Sequence, residues 1–305
     1  MPRLRHPFAF LQDFKVLSSN SRDGIVYKIS DDLVFKAPFA WANATRDLDQ
    51  EHIESVQSME REKATYKLLR QHQPPYIMSM ILSVPEGLFL PFAIEGSLDQ
   101  RLAIAKQKPI QWAEKLDWIQ GIIKGELALA DLGLVHGDLR LPNILLYNGH
   151  VKLCDLCATV RKNDKLVAPL LPRFSRPVDG DVNMVADEQG EMFAIGTCIY
   201  TLVMEHLPYP DMSEGEVATL FEMKAFPPTD NESFKPYGDL HTIVRGCWTG
   251  SYDSIRDLDM EVGIIFEELG ASMKTEHNSL RMETELLECL ESKCKRFLEQ
   301  AREHV

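Results

Sequence analysis

The stretch VHGDLRLPNILLYNGHVKLCDL, Val135 to Leu156, constrains this chain more than any other. It sets Asp138, Asn143 and Asp155 in one short segment, with separations of 5 and 17 residues from Asp138. The apolar runs between them read as short strands joined by a turn. A carboxylate, an amide and a second carboxylate around a strand–turn–strand suit metal-bound phosphate held beside a hydroxyl. Asp138 can accept a proton from an attacking hydroxyl, while Asn143 and Asp155 offer the hard oxygen ligands that Mg²⁺ selects.

The flanking patterns place this segment in an α+β protein. Before it, FKVL, IVYKIS and LVFKAP are short β-type runs broken by SSNSRDG and SDD. A helix is predicted over about 48–71, where Ile53, Val56, Met59, Lys63, Tyr66 and Leu69 recur at helical spacing, with Pro74-Pro75 closing it. IMSMILSV and GLFLPFA then read as two more strands about a Glu86-Gly87 turn. Five strands and one helix make a β-rich lobe over 13–92.

From 93 to 273 the pattern is helical. Residues 112–131 carry Leu116, Ile119, Ile123, Leu127 and Ala130 on one face, with Gly133 as a stop. QGEMFAIGTCIYTLVME, residues 189–205, is apolar almost all round and must be buried on every side. Residues 162–188 show little periodicity and read as a long functional loop. Residues 274–305 form an amphipathic helix with Leu286, Leu287, Leu290, Cys294, Phe297, Leu298 and Ala301 on one stripe. The stripe docks on the chain's own core or, in the alternative, on a partner or a second copy.

Composition excludes several classes. A net charge of −13 argues against broad nucleic-acid binding, which needs basic surface to neutralise phosphates. No run of about 18 apolar residues occurs, so no membrane span is expected. The apolar run of the N-terminus stops at Gln12 and Asp13, too soon for a signal peptide, so a cytoplasmic or nuclear location is expected. Cys154 and Cys157 make a lone CxxC with no second ligand pair; buried reduced thiols are expected rather than zinc or redox chemistry.

At these residues the chain resembles the eukaryotic protein kinase family, in its divergent, fungal-type members, over roughly residues 13–270. HGDLRLPN, His136 to Asn143, resembles the catalytic loop HRDxxxxN and implies Asp138 as catalytic base and Asn143 as a magnesium ligand. DLC, Asp155 to Cys157, stands where the family has DFG, implying Asp155 as the main metal ligand. LVFKAP resembles the third-strand motif, so Lys36 would hold the α- and β-phosphates, and REKATYKLL would supply its partner Glu62. GLFLPFAIEGSL resembles the fifth strand and hinge, with Leu90 as gatekeeper and the backbone around Pro91 to Ala93 meeting adenine. Arg140 would contact the transferring phosphate and leans the chain towards serine or threonine substrates. The resemblance implies a bilobal protein kinase-like fold with a small β-rich N-lobe (13–92) and a larger helical C-lobe (93–273), with the amphipathic helix (274–305) following it. It also implies ATP, Mg²⁺ or Mn²⁺, and a protein substrate.

The departures leave a second reading open. SNSRDGIV stands where a Gly-rich phosphate loop belongs: Gly24 and Val26 match, while Ser19 and Ser21 replace glycines. Gly137 replaces the arginine of HRD, so loop phosphorylation is not expected to be the switch. Leu156 and Cys157 replace Phe and Gly, no APE motif appears, and Glu191 stands where the family has the Asp that braces the catalytic loop. The active kinase keeps all five chemical groups, Lys36, Glu62, Asp138, Asn143 and Asp155. The alternative is a pseudokinase acting as a nucleotide-binding or scaffold module. A small-molecule phosphotransferase is a third, minor reading.

Overall fold

A computed structural model describes residues 5–20, 23–42, 46–168, 170–177, 185–270 and 277–303. In chain order its strands are β1 (Lys15–Asn20), β2 (Gly24–Lys28), β3 (Leu33–Ala37), β4 (Leu82–Val84), β5 (Gly87–Pro91), β6 (Leu134–Val135), β7 (Ile144–Tyr147), β8 (His150–Leu153) and β9 (Val160–Arg161). Its helices are α1 (Arg46–Leu69), α2 (Leu98–Ala103), α3 (Trp112–Ala130), α4 (Glu188–Met204), α5 (Glu214–Glu222), α6 (Leu240–Thr249), α7 (Ile255–Glu268) and α8 (His277–Glu303). Two compact units result: Met1–Ile94 with Asp155–Cys157 and Thr275–Val305, and Glu95–Cys154 with Ala158–Lys274.

The first unit is built on an antiparallel sheet in the order β1-β2-β3-β5-β4. Alternation sorts β3: Leu33, Phe35 and Ala37 point to one face, and Val34 and Lys36 to the other. The first face is a core of Ile25, Tyr27, Leu33, Phe35, Ala37 and Phe89, covered by Leu290, Cys294 and Phe297 of α8. Phe297 sits among five rings, with centroids 5.1 Å from Phe10, 5.7 Å from Phe89, 6.0 Å from Phe14, 6.4 Å from Phe8 and 6.5 Å from Phe35. An ion pair between Lys293 and Asp32 fixes the helix beside the β2–β3 turn. The apolar stripe of α8 is therefore consumed by the chain's own sheet, which leaves the partner-binding reading of that stripe without support.

Two local expectations are corrected. Of IMSMILSV, only Leu82–Val84 forms a strand. Ile77 and Met78 are both buried but belong to no strand; the chain leaves α1 through a turn in which the Ile77 N–H donates to the Pro74 carbonyl (3.3 Å). On α1, Ile53 is exposed, and the buried face runs instead through Ser55, Ser58, Met59, Glu62, Thr65, Tyr66 and Leu69. The helix turns a polar face inward because Glu62 has a buried cation to meet.

The second unit is helical around α4, whose residues Glu191 to Val203 are all buried, as its uniformly apolar sequence predicts. It packs on α3 and α6, and Trp248 of α6 is buried beside it, donating its indole N–H to Thr197 (3.0 Å). On α3, Leu116, Ile119 and Ile123 are buried as expected, while Leu127 and Ala130 are half-buried and Ile122, Glu126 and Leu129 are buried beside them. The hairpin β7–β8 closes through Asn148 and Gly149, both at positive φ, the geometry an Asn-Gly pair favours. The segment expected as a long loop carries a short 3-10 turn, Pro172–Phe174, whose Arg173 is buried. Its guanidinium donates to the carbonyls of Pro208 (2.9 Å), Tyr209 (2.9 Å) and Met212 (2.6 Å) and pairs with Glu214. No helix among the described residues is long and apolar enough to cross a membrane.

Candidate active site

In the first unit, Lys36 projects from the fully buried strand β3, with only 4% of its surface exposed. Its Nζ lies 2.6 Å from Asp155 Oδ1 and 2.7 Å from Glu62 Oε2, and Glu62 is wholly buried on α1. Burial alone pulls the ammonium's pKa down; Asp155 and then Glu62 outweigh it and hold Lys36 charged, well above its ordinary value. The Glu62 carboxyl is raised by burial, with Lys36 opposing. A rigid strand, a helix and a turn residue thus aim one cation. Asp155 sits at φ +60°, a left-handed conformation that aspartate tolerates better than most side chains.

Beside this pair, Cys157 donates its thiol to Asp23 (3.2 Å), and its carbonyl accepts from Arg61 (3.2 Å). One ligand atom each from Asp23, Asp155 and Cys157 lie within 4.8 Å of one another. Burial pushes the Cys157 thiol far up, so it stays protonated and unreactive. Val26 of β2 lies opposite Lys36 in register, and Gly24 at φ +104° has no room for a side chain, since a Cβ would come within 2.4 Å of the Ala37 carbonyl oxygen. Ser19 is exposed on β1, opposite Ile25; Ser21 lies outside the described residues. Leu90 is buried on β5 opposite Val34, and Ala93 is buried just beyond the strand.

In the second unit, Asp138 is the centre of a fixed network. Arg140 Nε donates to Asp138 Oδ2 (3.1 Å), and Asn143 Nδ2 donates to the same oxygen (2.9 Å) and to the Asp138 carbonyl (2.9 Å). With its nitrogen committed, Asn143 offers its amide oxygen to a metal. His136 is fully buried; its Nδ1 accepts the Asp138 N–H (3.3 Å) and its Nε2 meets the Cys154 carbonyl (3.2 Å), which fixes the neutral tautomer. Gly137 stands at φ +77°, where a Cβ would lie 2.6 Å from the Ala158 carbonyl oxygen. Its N–H is accepted by Glu191 Oε1 (3.0 Å), so the longer carboxylate fills the bracing position expected for it. Thr159 is buried, its hydroxyl donating to the His136 carbonyl (3.4 Å).

The structure thus gathers Lys36, Glu62, Asp155 and Val26 in one unit and Asp138, Arg140 and Asn143 in the other. Sequence reasoning missed Asp23, Arg61, Arg173 and Glu126. Only Glu126 left a legible signal, a carboxylate alone inside the apolar run GIIKGELALA.

A family model described as protein tyrosine and serine/threonine kinase matches residues 44–256. Those residues include Glu62, Asp138, Arg140, Asn143 and Asp155; β1, β2, β3 and Lys36 precede the match. No curated protein matches the chain.

Proposed function

The chain belongs to the protein tyrosine and serine/threonine kinase family, and on that premise we propose that it is an ATP-dependent protein kinase acting on serine or threonine hydroxyls. The observation that carries this reading is the buried Lys36 ammonium, 2.7 Å or less from both Glu62 and Asp155. A cation held this far from water by two carboxylates is costly to build for stability alone, and phosphate binding gives it a purpose. Lys36 would sit against the α- and β-phosphates, with Ser19, Gly24 and Val26 lining them and Leu90 and Ala93 bounding the adenine.

The donor set suits a hard divalent cation: the carboxylate of Asp155 and the amide oxygen of Asn143 would hold Mg²⁺ or Mn²⁺. When bound, that ion neutralises charge developing on the phosphoryl group. Asp138, oriented by Arg140 and Asn143, would accept the hydroxyl proton, and Arg140 would face the transferring group as a fixed cation. Thermal-shift titration with ATP and metal, followed by radiolabel transfer to a generic protein substrate, tests the assignment. Asp138→Asn should lower transfer by at least ~10²-fold, the usual worth of a general base, while leaving the melting temperature nearly unchanged. Undiminished transfer by that variant would remove Asp138 from the role.

The Cys157–Asp23 contact and the exposed serine at position 19 favour a second reading, a module that binds nucleotide without transferring phosphate. ATP binding with no transfer by the wild-type protein would select it.

A further inference from the structure

Glu126 on α3 and Glu191 on α4 are 1% and 6% exposed, and their carboxyls meet at hydrogen-bonding range. Glu191 Oε1 receives the Gly137 N–H, but Glu126 Oε1 and Glu191 Oε2 are buried with no donor from any neighbouring group. Two acceptor oxygens cannot face each other in a dry site unless something lies between them. No cation is among the charges acting most on either carboxyl. The charges acting most on Glu191 are Asp138 and Asp187, the Cys198 thiol of α4 faces both carboxyls, and Glu126 feels only Glu191. Lys124 of α3 is committed to Asp259, and the His136 ring is engaged by Asp138 and Cys154.

We propose that Glu126 and Glu191 share one proton, and that this acid–carboxylate pair is a positioning device that holds the Gly137 amide and, through it, the loop bearing Asp138. Glu126 O–H donates to the Glu191 carboxylate, which also accepts from Gly137, so every buried oxygen of the bridge is satisfied by a single proton. The electrostatics agree. Burial lifts Glu126 well above the ordinary carboxyl range, with Glu191 adding to the lift, and burial pushes Glu191 up to about 7 against the opposing Gly137 hydrogen bond. The position of the loop then depends on pH in a way that an ordinary ionised brace would not. The catalytic consequence rests on the kinase reading; the proton itself does not.

The sign follows from linkage. Acids whose folded pKa exceeds the unfolded one hold more protons when native, so the fold loses stability as pH rises from the ordinary carboxyl value towards the folded one. One extra bound proton makes the unfolding constant grow by about tenfold per pH unit. Glu126→Gln tests this, because its amide N–H donates to Glu191 at every pH. The expected result is a pH dependence of unfolding shallower by up to that tenfold per unit, and loss of a protonated-carboxyl infrared band that the wild type shows at mildly alkaline pH. A wild-type slope and an unchanged band in Glu126→Gln would overturn the inference. If that variant fails to fold, a wild-type spectrum without the band in mild alkali overturns it equally. Neither readout needs nucleotide, so a chain that transfers no phosphate can still carry the shared proton. In an active chain, the alkaline limb of kcat/KM moves to higher pH in Glu126→Gln.

Discussion

Replacing Phe297 by alanine tests how α8 is joined to the sheet. The side chain is 8% exposed and in contact range of five other phenylalanines. An aromatic side chain buries ~150–250 Å², and at ~25 cal/mol per Å² this is worth about 4–6 kcal/mol, an upper bound because the unfolded chain is partly collapsed. Alanine keeps a fraction of that area, and the cavity left among rigid rings adds a cost, so a loss of about 3–5 kcal/mol is expected. Native-state hydrogen exchange at Phe35 and Lys36 of β3 reads the effect where it acts. A loss of 3–4 kcal/mol accelerates exchange roughly 100- to 1,000-fold. Glu299→Ala, on the exposed side of the same helix, should stay within ~0.5 kcal/mol of the parent. If Phe297→Ala costs under ~1 kcal/mol and leaves β3 as protected as the control does, α8 is not part of this core.

Gly137→Ala should destabilise by roughly 2–3 kcal/mol, combining a left-handed backbone with the clash against the Ala158 carbonyl; an unchanged melting temperature would discount that clash. Restoring the family's arginine there should be worse, not better. Lys36→Met should weaken ATP binding by at least ~10-fold by titration calorimetry, as the phosphate cation is lost. It also leaves buried Glu62 without its cation, raising that carboxyl further, so the variant's stability should fall more steeply than the parent's as pH rises; parallel pH profiles would mean that Lys36 does not support Glu62.

The fold was legible where periodicity was strong. β2, β3 and β5 carry β-branched and aromatic runs between turn residues, and α4 is apolar on every side, so neither needs distant information to be assigned. The candidate site was legible because its groups are chemically unusual where they stand: a lysine in LVFKAP, and carboxylates at the ends of apolar runs. Residues whose role depends on a distant partner were illegible. Ile53 looked like core because spacing cannot say that α1 turns Glu62 inward towards Lys36. Arg173 looked like one more loop cation because the carbonyls it ties down, at Pro208, Tyr209 and Met212, lie 35 or more residues away. Glu126 left a trace in the sequence, a lone carboxylate inside an apolar run, but a carboxyl in a helix is ordinarily solvated and only its neighbour on α4 gives it a role.

The covering of the β-sheet by α8 has a temporal cost. Synthesis proceeds from the N-terminus, and 199 residues separate Pro91, the end of β5, from Leu290. At ~5–20 residues per second the ribosome needs roughly 10–40 s to bridge that interval. For that time the nascent sheet displays Phe35, Phe89 and their neighbours to solvent or to whatever chaperone is at hand. Chains stalled before residue 286 should accordingly be captured by hydrophobic-binding chaperones or cleaved by protease, and chains released past residue 301 should escape; equal protease resistance of the two would show that the sheet closes without its last helix.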